Sequence, residues 1–193
     1  VELAARRDLD LVVELIGGER GIALDAARAR LAQGQDLVTA NKAMLALHAA
    51  ELARLAETNG AQLYYEAAIA GAIPIVKALR EGLLAGRIQA ISGILNGTCN
   101  YILTEMTRTG RSFAEVLAEA QALGYAEADP SMDVDGGDTA HKLCLLEALA
   151  FGRQPDLHRL RVAGIRHLSP AVIAAAEAQG YAIKLIGQVV RDA

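Results

Sequence analysis

This sequence predicts an α/β fold in two parts, on three observations. Short aliphatic runs alternate with helical periodicities through residue 65, the pattern of a parallel sheet with right-handed crossover helices. The runs end at Gly17-Gly18, Ala40-Asn41-Lys42 and Glu66, and in such sheets the carboxyl ends of the strands are the ligand side. Beyond residue 66 helices dominate, with two further strands far apart in the chain, as in an α+β domain.

The elements follow in order. Residues 11–16 read as a buried strand that stops at Gly17-Gly18. Residues 21–33 have apolar positions at helical spacing as far as Gly34, and 37–39 form a second strand. Residues 43–59 are a long Ala/Leu helix ended by Asn59-Gly60. Residues 63–65 form a third strand leading to Glu66. Pro74 opens a helix to about residue 84, residues 88–95 form a strand, and a helix follows Asn96-Gly97 to about residue 107. Ser112 with Glu115 three residues later is a capping box, opening a helix that Gly124 ends. Residues 125–137 are an acidic, turn-rich loop and 138–151 a helix. Ser169-Pro170 supplies an N-cap with proline in the first helical position, and 183–190 form a final strand. The expected division is 1–65 and 66–193.

Composition narrows the possibilities. With 193 residues, 53% of them hydrophobic and 22% charged, the chain has the makings of a packed core and is not disordered. The net charge is −4, without a basic run, which argues against a nucleic-acid partner. No apolar stretch approaches the ~18 residues of a membrane span. Cys99 and Cys144 lie far apart in apolar helical contexts, the reading expected of a reduced, cytoplasmic protein without a disulfide framework or a metal quartet. The opening residues lack a methionine and an apolar signal core, so the chain is expected to be a piece of a longer protein. All but four of its 19 cations are arginine; the lysines are Lys42, Lys77, Lys142 and Lys184. Lysine can lose its proton where arginine cannot, so each lysine is a candidate for chemistry.

The densest ionisable cluster is Glu127, Asp129, Asp133, Asp135 and Asp138, followed by His141 and Lys142. Asp138 and Lys142 are one helical turn apart and share a face. One reading is a first-turn aspartate that favours the helix dipole beside a surface ion pair. A calcium loop beginning at Asp133 fails, because the positions that need glycine and glutamate hold Asp138 and Cys144. The other reading is an amino-acid site. The carboxylates would meet an α-ammonium, and Lys142 would serve as acid or base toward a carbonyl oxygen, with Asp138 holding it charged. At Thr39-Ala40-Asn41-Lys42 the alternatives are an Asn41 cap with a solvated lysine, or a Lys42 turned to a ligand. The segment Glu66 to Pro74 is either a tight chain reversal or a carboxylate with exposed carbonyls suited to a cation. The Gly97-Thr98 amides at a helix start could face a ligand, a weak motif alone.

Taken together, the motifs are specific. Val38-Thr39-Ala40-Asn41-Lys42, Tyr65-Glu66-Ala67-Ala68-Ile69-Ala70-Gly71-Ala72-Ile73-Pro74, Ser92-Gly93-Ile94-Leu95-Asn96-Gly97-Thr98, Leu123-Gly124-Tyr125-Ala126-Glu127-Ala128-Asp129-Pro130 and Asp138-Thr139-Ala140-His141-Lys142 occur in that order. In order and spacing the chain resembles homoserine dehydrogenase from about residue 11 to 190. The resemblance implies a partial Rossmann-type sheet followed by an α+β catalytic and dimerisation domain. It implies interconversion of aspartate semialdehyde and homoserine with NADPH or NADH, on the route to threonine, methionine and isoleucine. Lys142 and Asp138 match the catalytic pair; Glu127, Asp133 and Lys42 match substrate-binding residues. Ile16, Gly17, Lys42 and Gly124 match cofactor contacts. Glu66, with the backbone of Ile69, Gly71 and Ile73, matches a sodium-type cation site. A homodimer is implied, with residues 88–95 contributing to its surface. The family's Gly-x-Gly-x-x-Gly loop and closing segment are absent from these residues and are expected before Val1 and after Ala193. Two other readings stand beside this one: a catalytically silent fragment that keeps the fold and interface, and another amino-acid dehydrogenase. An ordinary lysine titrates near pH ~10.4, so oxidation of the alcohol is expected to favour alkaline pH.

Overall fold

The computed structural model describes residues 1–191. Spatial packing gathers them into two compact units that do not follow the expected division at 65/66. One comprises Val1–Ala90, His141–Arg159 and the chain from Val190; the other comprises Ile91–Ala140 and Leu160–Val189.

The first unit holds the parallel sheet that the sequence predicts. Strands β1 (Val12–Glu14), β2 (Leu37–Thr39) and β3 (Leu63–Tyr64) lie in that order. The register sets Glu14 beside Thr39 and Val38 beside Tyr64, which brings the strands' carboxyl ends together. Helices α1 (Ile22–Leu31) and α2 (Lys42–Asn59) make the crossovers. They pack against each other, and Leu24, Leu31, Met44, Leu45 and Leu52 are buried. Both ends of α2 follow local chemistry. Asn41 Oδ1 accepts the Met44 amide at 3.0 Å, and Gly60 takes the left-handed conformation after the last turn.

Arg30 of α1 is fully buried. It donates to the carbonyls of Leu9 (2.6 Å), Arg6 (3.0 Å) and Asp36 (3.1 Å) and to Gln35 Oε1 (2.8 Å). A single guanidinium thus fastens residues 6–9 and the entry to β2 onto α1.

Three expectations are corrected in this unit. The run at 11–16 is not a buried strand: Leu11, Val13, Leu15 and Ile16 are exposed, and Glu14 is the buried residue. β1 is an edge strand whose one partner among the described residues is β2, and the alternate residues Leu11, Val13 and Leu15 share an exposed face. The segment after Glu66 is not a bare turn but a short helix, α3 (Glu66–Ile69). The helix expected over 74–84 is α4 (Ile75–Lys77) continuing as a wider π turn over Ala78–Gly82. There Leu83 N donates to Ala78 O at 3.0 Å, and glycines 82 and 86 weaken the regular helical register.

The second unit is built on α5 (Gly97–Thr109), α6 (Phe113–Ala122) and α9 (Pro170–Ala178), beside a two-stranded sheet of β4 (Ala90–Gly93) and β5 (Gly187–Val190). Its core joins Cys99, Ile102, Leu103 and Met106 to Val116, Ala120, Val134, Ile165 and Ile173. The Ser112–Glu115 capping box forms with both of its bonds. β5 is shorter than the strand expected over 183–190, because the Leu185 backbone is taken by a side chain. The Asn100 amide donates to Leu185 O and accepts Leu185 N, each at 3.0 Å. Gly187 starts the strand where a Cβ would come within 2.8 Å of Leu95 Cδ1. The acidic loop contains a single helical turn, α7 (Ser131–Val134). Helix α8 (Gly137–Phe151) follows, its first residues grouping with the second unit and the rest, from His141, with the first.

Among the described residues no helix is long and apolar enough to cross a membrane. None of their His, Cys, Asp and Glu side chains gather in threes or more to hold a metal ion.

Candidate active site

In the first unit, a buried carboxylate organises the strand ends. Glu14 Oε1 accepts the amides of Ile16 (2.7 Å) and Gly17 (3.1 Å), and Oε2 accepts the Thr39 hydroxyl (2.6 Å). Thr39 Oγ1 in turn accepts the Asn41 amide at 3.0 Å, and Asn41 Nδ2 donates to Gly18 O at 2.8 Å. The ends of β1 and β2 are therefore tied by side chains from both strands. Gly17 and Gly18 have φ of 83° and 88°, a region where other L residues are strained. Asn41 is the α2 cap, and Lys42, the first helical residue, is half-buried.

Glu66 lies beyond β3, in α3. Its Oε1 accepts Val76 N at 2.7 Å and its Oε2 accepts Lys77 N at 3.1 Å, so the carboxylate also holds the start of α4. Ile73 O accepts Ile75 N at 2.8 Å. One carboxylate and main-chain carbonyls are the hard oxygen set that a sodium-type cation takes. Glu66 also lines an open cleft of about 550 Å³ with Tyr65, Lys77, Arg80 and Glu81.

In the second unit, Asn96 caps α5 by accepting Cys99 N at 2.8 Å. Its side-chain nitrogen donates to Asp133 Oδ1 at 2.7 Å and to Asp138 Oδ2 at 2.9 Å. Asn96 and Asp138 are buried, and Asp133 half-buried. Asp138 stands on the first turn of α8, with Lys142 four residues on along the same helix. Gly124 follows α6, and Thr98 Oγ1 donates to the carbonyl of the next residue, Tyr125, at 2.9 Å. Glu127 is exposed, its backbone carbonyl held by Gln121 Nε2 at 3.0 Å. Burial pushes the Cys99 thiol up to about 12, helped by the nearby carboxylates of Asp133, Asp138 and Asp135. Asp135 itself is bound by Arg166.

Of the residues singled out in the sequence, the structure brings Asp133 and Asp138 onto Asn96, and Ile16 and Gly17 onto Glu14, which also holds Thr39 at the end of β2. Sequence reasoning missed the two residues that bring them together. Glu14 could have been found as a charged residue inside an aliphatic run. Asn96 lay within a noted motif, but its partners are 37 and 42 residues away.

A parallel βαβ sheet with a glycine-bearing strand end in one unit, and an amide-clamped pair of carboxylates in the other, define a two-part protein of the dinucleotide-binding α/β class. The chain belongs to the homoserine dehydrogenase family. The family model for homoserine dehydrogenase matches residues 74–193, and that for the homoserine dehydrogenase NAD binding domain matches residues 1–66. A homoserine dehydrogenase from Neisseria gonorrhoeae is 52% identical over 96% of this chain and 42% of its own length. One from Pseudomonas aeruginosa is 48% identical over 96% of this chain and 43% of its own length. The crystal structure of a homoserine dehydrogenase from Thiobacillus denitrificans superposes with a TM-score of 0.93 at 47% identity, covering 96% of this chain and 43% of that one. A hyperthermophilic archaeal homoserine dehydrogenase in complex with NADPH superposes with a TM-score of 0.85 at 29% identity, over 98% of this chain and 55% of that one. The chain therefore spans about two-fifths of the length of the curated relatives it matches.

Proposed function

We propose that the protein containing this chain is an NAD(P)-dependent homoserine dehydrogenase, interconverting aspartate semialdehyde and homoserine. In this reading residues 1–65 are part of the dinucleotide-binding domain, and residues 66–193 are the substrate-binding, catalytic and dimerisation domain. The observation that carries it is the Asn96-bridged pair of Asp133 and Asp138, one helical turn before Lys142.

When bound, the nicotinamide supplies a hydride to the aldehyde carbon. Ile16, Gly17, Lys42 and Gly124 would hold the cofactor; the Glu14 carboxylate fixes the first two through their amides. Glu127, Asp133 and Lys42 bind the amino acid, the carboxylates pairing with its α-ammonium. Lys142, as ammonium, donates a proton to the oxygen that becomes the alcohol, and in the oxidising direction neutral Lys142 removes it. Asp138, i and i+4 to Lys142, orients that ammonium. Glu66 and the carbonyls of Ile69, Gly71 and Ile73 would hold a sodium-type cation that fixes the turn after β3. A homodimer is supported by the exposed apolar residues Ile94, Ile186 and Val190 in and beside β4 and β5, and a cytoplasmic location by two buried cysteine thiols.

The test is homoserine-dependent reduction of NADP⁺ and NAD⁺ by the full-length protein, followed by nicotinamide absorbance, with other amino alcohols in parallel. Turnover with homoserine well above that with its analogues is expected. Turnover with a different amino alcohol and none with homoserine would assign the site to another amino-acid dehydrogenase, and none with any would favour a silent protein.

A further inference from the structure

We infer that Asn96 is a positioning residue for the reaction, setting the spacing and direction of the two carboxylates that flank the substrate. The inference rests on the reading above, in which Asp133 and Asp138 serve homoserine. A side-chain amide has two N–H donors and one carbonyl acceptor. In Asn96 both N–H groups go to carboxylates, one on α7 and one on α8, while the carbonyl caps α5. One planar group thus fixes three helix starts to one another inside a single compact unit. Two carboxylates turned toward one point repel each other. A shared donor between them replaces repulsion with two charge-assisted hydrogen bonds, and those bonds are directional. The backbone supports this geometry: Asn96 O accepts Asn100 Nδ2 at 3.0 Å, and Asn100 is itself fixed on Leu185. Asn96 therefore has little freedom to rotate, and the two aspartates take their directions from it.

The cap and the bridge can be separated by mutation. Serine and aspartate both cap helices about as well as asparagine, yet neither supplies two N–H donors. N96S deletes the bridge without adding charge. N96D keeps the acceptor toward Cys99 and sets a third carboxylate against the other two. In the full-length protein N96S is expected to lower kcat/KM for homoserine by about 10-fold, as for the loss of hydrogen bonds to charged groups. N96D is expected to lower it by about 100-fold or more. Melting temperature is expected to fall by several degrees in both, since a buried carboxylate loses its donor, while the KM for NADP⁺ stays near wild type. Wild-type homoserine kinetics in both folded variants would overturn the inference alone. Homoserine and NADP⁺ kinetics lost together, following the fall in melting temperature, would make Asn96 a structural residue and overturn it too. A wild-type protein without homoserine oxidation would overturn the functional reading, and this inference with it.

Discussion

The two networks solve opposite problems. At the strand ends, the charged Glu14 is consumed in holding main chain: its oxygens take two amides and a hydroxyl. In the second unit, the neutral Asn96 is consumed in holding charge, its two donors going to two carboxylates. The difference follows from what each region presents. A nucleotide site at the carboxyl edge of a parallel sheet works largely through backbone groups, so its anchor must fix a loop. In the proposed amino-acid site the working groups are side-chain carboxylates, so its anchor must orient them. An ionised side chain suits the first task and an amide the second.

This division can be sharpened or broken by substitution, and the largest effect is expected one turn beyond Asp138. Lys142→Ala should lower turnover by roughly 10²–10⁴ if the lysine moves the proton, with melting temperature unchanged. Near-normal turnover would detach the carboxylate pair from the chemistry. Glu127→Ala should act mainly on homoserine binding, raising its KM by roughly 10-fold or more; an unchanged KM would remove Glu127 from the pocket. Arg30→Met should have no ligand signature but a clear stability one. It leaves the carbonyls of Leu9, Arg6 and Asp36 without their shared donor, at a cost of about 3 kcal/mol, read as a drop of several degrees in thermal midpoint.

The cysteines test how tightly the ground beneath the acidic network is packed. Burial raises Cys99 to about 12 and Cys144 to about 11. Because the folded values lie above the unfolded value of about 8.5, the stability gained by keeping the thiols neutral is whole below that pH. It is lost as pH rises through the folded values. Thiol reagents at pH 8 should therefore label neither residue until urea unfolds the chain; rapid labelling of the native protein would show the core to be open. The smallest effect is expected at Arg111, whose pairs with Glu119 and Glu105 lie at the surface: Arg111→Ala should change stability by less than about 1 kcal/mol.

What could be read from the sequence was what is decided locally. Asn41 with Gly60, Ser112 with Glu115, and Ser169 with Pro170 each mark a helix end through contacts within a few residues, and each forms as expected. The parallel pairing of the first three strands followed from their alternation with helices. Strand ends were over-read because an apolar run does not say where its ladder stops. β1 stops where Glu14 turns back on Ile16 and Gly17, and β5 begins only after Asn100 releases the backbone at Leu185. The π turn at Ala78–Gly82 and the single turn of α7 leave no periodicity long enough to detect. Of the candidate site, the ionisable residues were legible and their anchors were not. Asn96 meets Asp133 and Asp138 across 37 and 42 residues, and spacing along the chain carries no trace of such a contact.

The most direct test of the two-network account is a pair of kinetic titrations on the full-length protein, comparing Glu14→Gln with Asn96→Ser. Glu14→Gln weakens the charge-assisted bonds to the Ile16 and Gly17 amides and is predicted to raise the KM for NADP⁺ by about 10-fold, leaving the KM for homoserine alone. Asn96→Ser is predicted to do the reverse, lowering kcat/KM for homoserine and sparing the cofactor. If either variant moves both ligands together, or each moves the other's ligand, the division between a loop-fixing carboxylate and a charge-orienting amide is wrong.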